Sequence, residues 1–555
     1  MDLVSIVVII QLFFGIVIGL YFWNLLKNQR AGKNTIEKES EKEMEKLRAM
    51  KKIALTAPLS ERVRPSELAD VIGQEDGIQA LRASICSGNP QHVIIYGPPG
   101  VGKTAAARII LEEAKRNANS PFRKDSPFIE LDATTARFDE RGVADPLIGS
   151  VHDPIYQGAG AMGQAGIPQP KRGAVSNAHG GVLFIDEIGE LHPIQMNKLL
   201  KVLEDRKVLY ESAYYSEENK NIPTHIHQIF QNGLPADFRL IGATTRMPEE
   251  IPPAIRSRCL EIFFRELDPE EINIVATRAS SKINSDIGED ALSVLSSYAR
   301  NGREAVNMIQ IASSISKKDG RNQITQSDME WVVESSRLSP RIKPVIYPKS
   351  RIGKVNGLAV LGPSTGHILE IEIMVLPRRE NGKITITGIA EEETIGSQSK
   401  QIKRKSMARG SIENVTTLLR SLGVPAHEYD VHVNFPGGIP VDGPSAGLAM
   451  AIGIYSSIQK IPVKFDVAMT GEISLHGEVL PIGGVLTKIK AAKQAGARRV
   501  IIPKANYQAI CDRITGIDII PVTTFKEALS LVLDMEGSKI AVNNNFRSDK
   551  SSKSV

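Results

Sequence analysis

Gln91-His-Val-Ile-Ile-Tyr96-Gly97-Pro98-Pro99-Gly100-Val101-Gly102-Lys103-Thr104 is the stretch on which the reading of the fold turns. Its first six residues are a short, mostly apolar run closed by glycine and proline, the signature of a buried strand. A glycine-rich turn follows and opens a helical pattern. Strand, glycine turn and helix in that order are the context in which this spacing reads as a phosphate-binding loop. Its glycines let backbone N–H groups wrap phosphates, and the helix N-terminus favours an anion. In that reading residues 97–104 bind ATP, Lys103 reaches the β- and γ-phosphates, and Thr104 holds Mg²⁺. The bland alternative is a glycine turn without a ligand, and the complete pattern with both flanks outweighs it.

Working outward, Gly181-Val-Leu-Phe-Ile-Asp186-Glu187 is an apolar strand that ends in two acids. Such a tip suits an aspartate linked to Mg²⁺ (Asp186, with Thr104) and a glutamate that activates water (Glu187). Apolar strands at 93–96, 128–131, 182–185 and 238–242 alternate with helical patterns and predict an α/β domain with a mainly parallel sheet. The pattern turns helical from 268 to about 337, a small all-α lid. Strands return at 354–361, 367–375 and 383–389, and helices at about 398–422 and 446–458 make the last domain α+β.

The phosphate loop and the acidic strand together resemble an AAA+ ATPase. The resemblance implies a polar sensor at Thr244 or Thr245, with Thr245 preferred, in Leu240-Ile-Gly-Ala-Thr-Thr-Arg246. It implies an arginine finger in Ile251-Pro-Pro-Ala-Ile-Arg256-Ser-Arg258, with Arg258 first and Arg256 second. It places a second sensor at Arg303, in Asn301-Gly-Arg303-Glu. For any one of these arginines an ordinary surface ion pair is the default, and their order and spacing lift the set above it. A finger acting in trans implies a homo-oligomeric ring, a hexamer in this family. The long Gly/Pro/Ala-rich stretch 138–179 reads as a functional loop, with Tyr156 and Met162 as candidates to grip a polypeptide and Tyr214 and Tyr215 as alternatives.

Further along, Pro440-Val-Asp-Gly-Pro-Ser445-Ala-Gly447 presents a serine among small residues that leave room for a substrate backbone. A serine hydroxyl needs a base, and no familiar histidine motif follows. Lys488 does, in Gly483-Gly-Val-Leu-Thr-Lys488, and Ser–Lys pairs are a variant of the nucleophile–base arrangement. The lysine must be neutral, and apolar burial lowers an amine pKa. Alone the octapeptide reads as a turn. With Met469-Thr470-Gly-Glu472 between the two residues and the ATPase upstream, the chain resembles the Lon protease family from about Ser60 to Leu533. The resemblance implies Ser445 as nucleophile, Lys488 as base, Thr470 as a hydrogen-bond partner of that lysine, and Asp442 and Glu472 as acids near the site. It implies unfolded or damaged proteins as substrates, and ATP and Mg²⁺ as cofactors.

Composition sets the remaining bounds. A net charge of +5 over 555 residues gives no case for nucleic acid beyond weak binding. Three scattered cysteines form neither a metal spacing nor a disulfide framework. Residues 3–26 carry no charge, enough to cross the ~30 Å hydrocarbon core as a helix. Tyr21 and Trp23 sit where an aromatic belt would, and Lys27, Arg30 and Lys33 follow, which predicts a single-pass cell-membrane anchor with the large C-terminal part cytoplasmic. A cleaved signal peptide would need a basic n-region and a small-x-small site, and neither is visible. An N-terminal anchor in place of a large substrate-binding domain resembles the membrane-tethered B-type Lon of spore-forming bacteria, hence an expected role in sporulation.

The expected organisation is therefore multidomain, α/β and α+β. It comprises an N-terminal transmembrane helix (1–26), a charged helical linker (27–58), an AAA+ α/β ATPase domain (59–265), its helical lid (266–340), a Lon-type Ser-Lys protease domain (341–535) and a disordered tail (536–555). The expected activity is that of an ATP-dependent serine endopeptidase. The alternatives are a remodelling ATPase with a non-proteolytic Lon-like domain, and a DNA-associated ATPase.

Overall fold

The computed structural model describes residues 13–23, 44–48, 50, 58–136, 145–152, 167–219, 222–341, 346–361, 365–378, 382–388, 394–395, 402–403, 407–436 and 444–535. The chain divides into two units, Met1–Arg62 and Val63–Val555. In the first, residues 13–23 form an uncharged helix with its apolar side chains exposed, Phe13, Leu20 and Trp23 among them. Among the described residues no helix is long and apolar enough to cross a membrane. The rest of the uncharged run 3–26 lies outside the described residues, as does most of the charged linker, whose residues 44–48 are helical. The expected tail also lies outside them.

The second unit begins with α1 (Glu75–Ile85) and a five-stranded parallel sheet. Its strands are β1 (His92–Tyr96), β2 (Phe128–Asp132), β3 (Val182–Asp186), β4 (Arg239–Thr244) and β5 (Cys259–Phe263), in the order β2-β3-β4-β1-β5. The three inner strands are buried almost throughout, as expected of parallel strands covered on both faces. The sheet order puts the C-terminal ends of β1, β3 and β4 side by side, and there the phosphate loop, Asp186 and Thr244 emerge. From the loop, α2 (Lys103–Arg116) runs back over the sheet, and α3 (Pro193–Asp205) follows β3. The long stretch read as a loop contains an antiparallel hairpin, Gly149–His152 with Gln169–Arg172, and a short helix, Ala174–Asn177. Tyr156 and Met162 lie outside the described residues.

The lid is α4 (Pro269–Lys282), α5 (Glu289–Tyr298), α6 (Gly302–Lys318) and α7 (Gln326–Ser335). It is not wholly helical. Asp286–Ile287 and Gln323–Ile324 pair as a two-residue parallel ladder, because the α4–α5 and α6–α7 connections run side by side.

The last domain is a seven-stranded mixed sheet. Its strands are β6 (Lys354–Leu361), β7 (Thr365–Pro377), β8 (Ile384–Thr387), β9 (Tyr429–Asn434), β10 (Val467–Met469), β11 (Arg499–Pro503) and β12 (Asp518–Val522), ordered β8-β9-β7-β6-β10-β11-β12. Alternate strand residues point to opposite faces, so each face has its own core. Val355, Ile371, Ile373, Met469 and Ile501 pack with α8 (Met407–Ser421), α9 (Gly447–Gln459) and α11 (Phe525–Val532). Leu358, Ala468, Val500 and Ile502 pack with α10 (Val485–Gln494) on the other face. The sheet is the middle of three layers. The helix expected at 398–422 starts only at Met407. Upstream, Ile402–Lys403 pairs as a short strand with Thr394–Ile395, because helical apolar spacing begins at Met407 and the preceding residues are mostly polar.

An ion pair between a half-exposed arginine and a buried carboxylate holds the end of the lid. The Asp328 carboxylate is 5% exposed and accepts two 2.8 Å bonds from the Arg321 guanidinium, with further bonds from Thr325 N and Oγ1. Arg321 first, then the Thr325 donors, hold the carboxyl well below the usual carboxylate range. Its stabilisation is therefore present above the ordinary carboxylate pKa and is lost as pH falls below it. Asp328→Ala is expected to cost the lid about 2 kcal/mol near neutral pH. Hydrogen exchange of α7 amides should show the loss, and the gap to the unsubstituted protein should narrow on acidification below about pH 4.

Candidate active site

At the nucleotide face the backbone does what the glycines were expected to allow. Gly97, Gly100 and Gly102 have φ of 154°, 75° and 96°. A Cβ on Gly97 would stand 2.5 Å from the Phe264 carbonyl oxygen, and one on Gly100 would stand 2.7 Å from Asn301 Oδ1. Gly102 is the left-handed N-cap of α2, so the first-turn N–H groups of that helix face the loop. Lys103 is buried, and its Nζ donates to the carbonyls of Gly97 (2.5 Å) and Pro98 (3.1 Å). Burial lowers its pKa, and the nearby Glu187 and Asp186 charges oppose that. Burial and Glu187 push the Asp186 carboxyl up, with Lys103 acting against them.

Glu187 is held at φ 49°, the left-handed region, where a non-glycine residue stores strain. Its carboxylate accepts from Thr245 N (3.0 Å) and Thr245 Oγ1 (3.1 Å). Thr244 is fully buried, and its hydroxyl accepts from Arg246 N. Of the two threonines, Thr245 presents its hydroxyl to the acidic pair. Arg303, one position inside α6, has its Cβ near Gly100 and acts electrostatically on Lys103. Asn301 caps that helix and stands against Gly100. Asn301 stands in the motif of Arg303, and nothing in the sequence signals its closeness to the phosphate loop. Arg256 is committed within its own chain. It pairs with Glu261 at 2.6 Å, and Glu261 also accepts from the Tyr96 hydroxyl. Arg258 donates to the Ala254 carbonyl and pairs with the well-exposed Glu204. On the second loop, Tyr214 is exposed while Tyr215 stacks on Phe230 and bonds His227.

In the last domain, Ser445 and Lys488 reach one place from opposite layers of the sheet. Ser445 lies in the one-turn helix Pro444–Ala446 that leads into α9, and Lys488 lies in α10. Each is tied to the turn that follows the C-terminal end of β10, Lys488 by its side chain to Thr470 and Ser445 by its backbone carbonyl to Thr470 and Gly471. The Lys488 amine donates to Thr470 Oγ1 at 3.4 Å. Thr470 Oγ1 donates to the Ser445 carbonyl at 3.2 Å, and Gly471 N donates to the same oxygen at 2.9 Å. Thr470 is fully buried and Lys488 is 3% exposed. Burial alone lowers the lysine pKa to about 8. Glu472 starts a two-residue hairpin with Val479–Leu480 just past this point. Asp442 lies outside the described residues. Among the described residues no His/Cys/Asp/Glu group is arranged to hold a metal. The Mg²⁺ role expected of Thr104 and Asp186 would be completed by phosphate oxygens.

An AAA ATPase module followed by a proteolytic domain is the class that the two domains define. The AAA ATPase model matches residues 93–267, and the model of the Lon protease (S16) C-terminal proteolytic domain matches residues 326–535. The chain is 68% identical over 533 residues to Lon protease 2 of Bacillus subtilis (strain 168), covering 96% of this chain and 97% of that one. It is 31% identical over 458 residues to the archaeal Lon protease of Thermococcus kodakarensis, covering 74% of this chain and 67% of that one. The chain belongs to the Lon protease family and is an ATP-dependent protease.

Burial of Lys488 has a measurable cost. A buried amine with a pKa of about 8, against an ordinary 10.5, destabilises the fold fully below pH 8 and not at all above the ordinary value. Lys488→Met is therefore expected to raise unfolding stability at pH 7 by on the order of 2–3 kcal/mol. Denaturant titrations of the last-domain transition at several pH values should show the gain fading as pH climbs past 8. A pH-independent gain would contradict the burial argument.

Proposed function

We propose that the chain is a membrane-anchored motor protease in which Ser445 is the nucleophile and Lys488 its base. The observation that carries this reading is the buried Lys488 amine, with a pKa near 8 and joined to Ser445 through Thr470. The neutral amine takes the Ser445 hydroxyl proton as the oxygen attacks a peptide carbonyl. It returns that proton to the leaving amine, and water then hydrolyses the acyl ester. Thr470 orients the lysine, and its bond to the Ser445 carbonyl fixes the turn.

Residues 97–104 would hold ATP, with Thr104 and Asp186 as the Mg²⁺ partners and Glu187, Thr245 and Arg303 around the γ-phosphate. ATP supplies the energy for unfolding and translocation. The loop fits it, since Gly102 caps α2 in the left-handed region and the first-turn N–H groups of that helix face the loop. Arg258 is the trans-acting finger of a homo-hexamer. Its exposed pairing with Glu204 is worth little and is readily exchanged, whereas Arg256 is already committed. Tyr214 is the exposed gripping candidate. The uncharged run 3–26 anchors the protein in the cell membrane, with the enzyme domains on the cytoplasmic side, where unfolded or damaged proteins are its substrates. A sporulation role rests on the resemblance to B-type Lon.

The test is casein degradation by the full chain with ATP and Mg²⁺. Ser445→Ala is expected to lose cleavage by at least ~10³-fold and keep its ATPase activity, while Lys103→Ala loses both. Cleavage retained by Ser445→Ala would sink the dyad. Peptide hydrolysis should rise with pH through about 8 as Lys488 gives up its proton, and Lys488→Arg should be inactive throughout. In cell fractionation the intact chain should sediment with membranes, and a chain lacking residues 1–26 should not.

A further inference from the structure

The segment Phe264–Asp268 leaves β5 and enters the lid, and it touches both the phosphate loop and the far end of the helix that carries Lys488. At its start, Phe264 N donates to the Tyr96 carbonyl at 2.7 Å, and the Phe264 carbonyl lies against Gly97, the first glycine of the phosphate loop. Its middle is clamped. Gln74, itself buried, donates to the Arg265 carbonyl (2.8 Å) and accepts from Arg265 N (2.9 Å). The Arg265 guanidinium grips Glu271 with bonds of 2.9 and 2.5 Å, and Glu271 accepts from Asp268 N, starting α4. At its end, Asp268 Oδ1 accepts from Gln494 Nε2 at 2.9 Å. Gln494 is the last residue of α10, the helix that carries Lys488. Burial lowers the His367 pKa in β7, and the charge of Glu266 opposes that.

α10 lies close on β7 beside the lysine. A Cβ on Gly366 of β7 would stand 2.5 Å from the Thr487 carbonyl oxygen and 2.8 Å from the Ala491 methyl. Six residues of helix separate Gln494 from Lys488, about 9 Å at 1.5 Å per residue. A helix that short moves as one body, so displacement of its end is delivered at the lysine. The amine needs a placement within a few tenths of an ångström to reach the serine proton.

We propose that Gln494 is a positioning residue: its bond to Asp268 ties the lid entry to the Lys488 helix, so that nucleotide binding sets the placement of the lysine amine. The inference rests on the assignment of Lys488 as base. It predicts that nucleotide acts on the hydrolysis of short peptides that need no unfolding, and that this action runs through one hydrogen bond between side chains 226 positions apart.

The experiment uses the full chain in detergent and a short unstructured fluorogenic peptide, with and without ATP and Mg²⁺, with ATPase activity measured alongside. Gln494→Glu sets a carboxylate against Asp268. It is expected to cut the nucleotide stimulation of peptide kcat by about fivefold or more, with KM, ATPase activity and the nucleotide-free rate within about twofold of the unsubstituted chain. Asp268→Asn combined with Gln494→Glu rebuilds the bond with donor and acceptor exchanged, and asparagine still suits a helix N-cap; stimulation should return. The proposal is overturned if Gln494→Glu keeps full stimulation, if its nucleotide-free rate falls in step, if the double variant fails to recover, or if the unsubstituted chain shows no stimulation. Lys488→Ala separates the two readings, since peptide cleavage by that variant would remove Lys488 as base whatever Gln494 does.

Discussion

An ammonium ion cannot be buried among apolar groups without losing most of its hydration, and the last domain is arranged around that constraint. Lys488 emerges from the face of α10 that packs on Leu358, Ala468 and Val500, where one hydroxyl, that of Thr470, meets its amine. The three-layer build makes this placement useful. Helix α9 and its leading turn lie on the other face of the sheet, so the serine and the lysine are kept apart wherever strands intervene. The link between them runs past the end of β10, through Thr470, which bonds both the lysine amine and the serine's backbone carbonyl. Lys103, in the motor, is buried too, yet two carbonyls and two carboxylates surround it. Burial lowers the pKa of both lysines; at Lys103 neighbouring carboxylates oppose it, and at Lys488 burial acts alone.

The nucleotide face shows a related economy of position. β1, β3 and β4 end together because the sheet order places them side by side, and each delivers a different chemistry there: glycine backbone, paired acids and hydroxyls. The lid closes on the same point through Asn301 and Arg303, whose approach to Gly100 leaves no room for a side chain at that glycine. Strain at Glu187 fits this picture, since its left-handed backbone is held in place by a two-point bond to Thr245.

Much of this was legible in the residues. Parallel strands buried on both faces write themselves as continuous apolar runs, so β1, β3 and β4 could be read to within a few residues, and β6 to the residue. The phosphate loop was legible because its glycines, lysine and threonine are adjacent in sequence. The 398–422 segment was misjudged at its start, where polar residues give no period to read. The pairing of Glu187 with Thr245 was invisible although both residues had been singled out, because a side-chain bond across two strand ends has no sequence period. The clamp of Gln74 on Arg265 and the bond of Gln494 to Asp268 lie further still from anything a pattern shows. They join unremarkable residue types nearly two hundred positions apart or more.

Motor and protease are joined covalently, since β6 of the proteolytic sheet follows α7 of the lid in the same chain, and this fixes their stoichiometry at one to one. A two-component machine must recruit its peptidase from solution and is limited by how much of each part the cell makes. Here the effective concentration of one part for the other is set by the chain itself and does not change with expression level. The same tether removes a point of control. The cell cannot idle the protease by withholding a separate motor subunit.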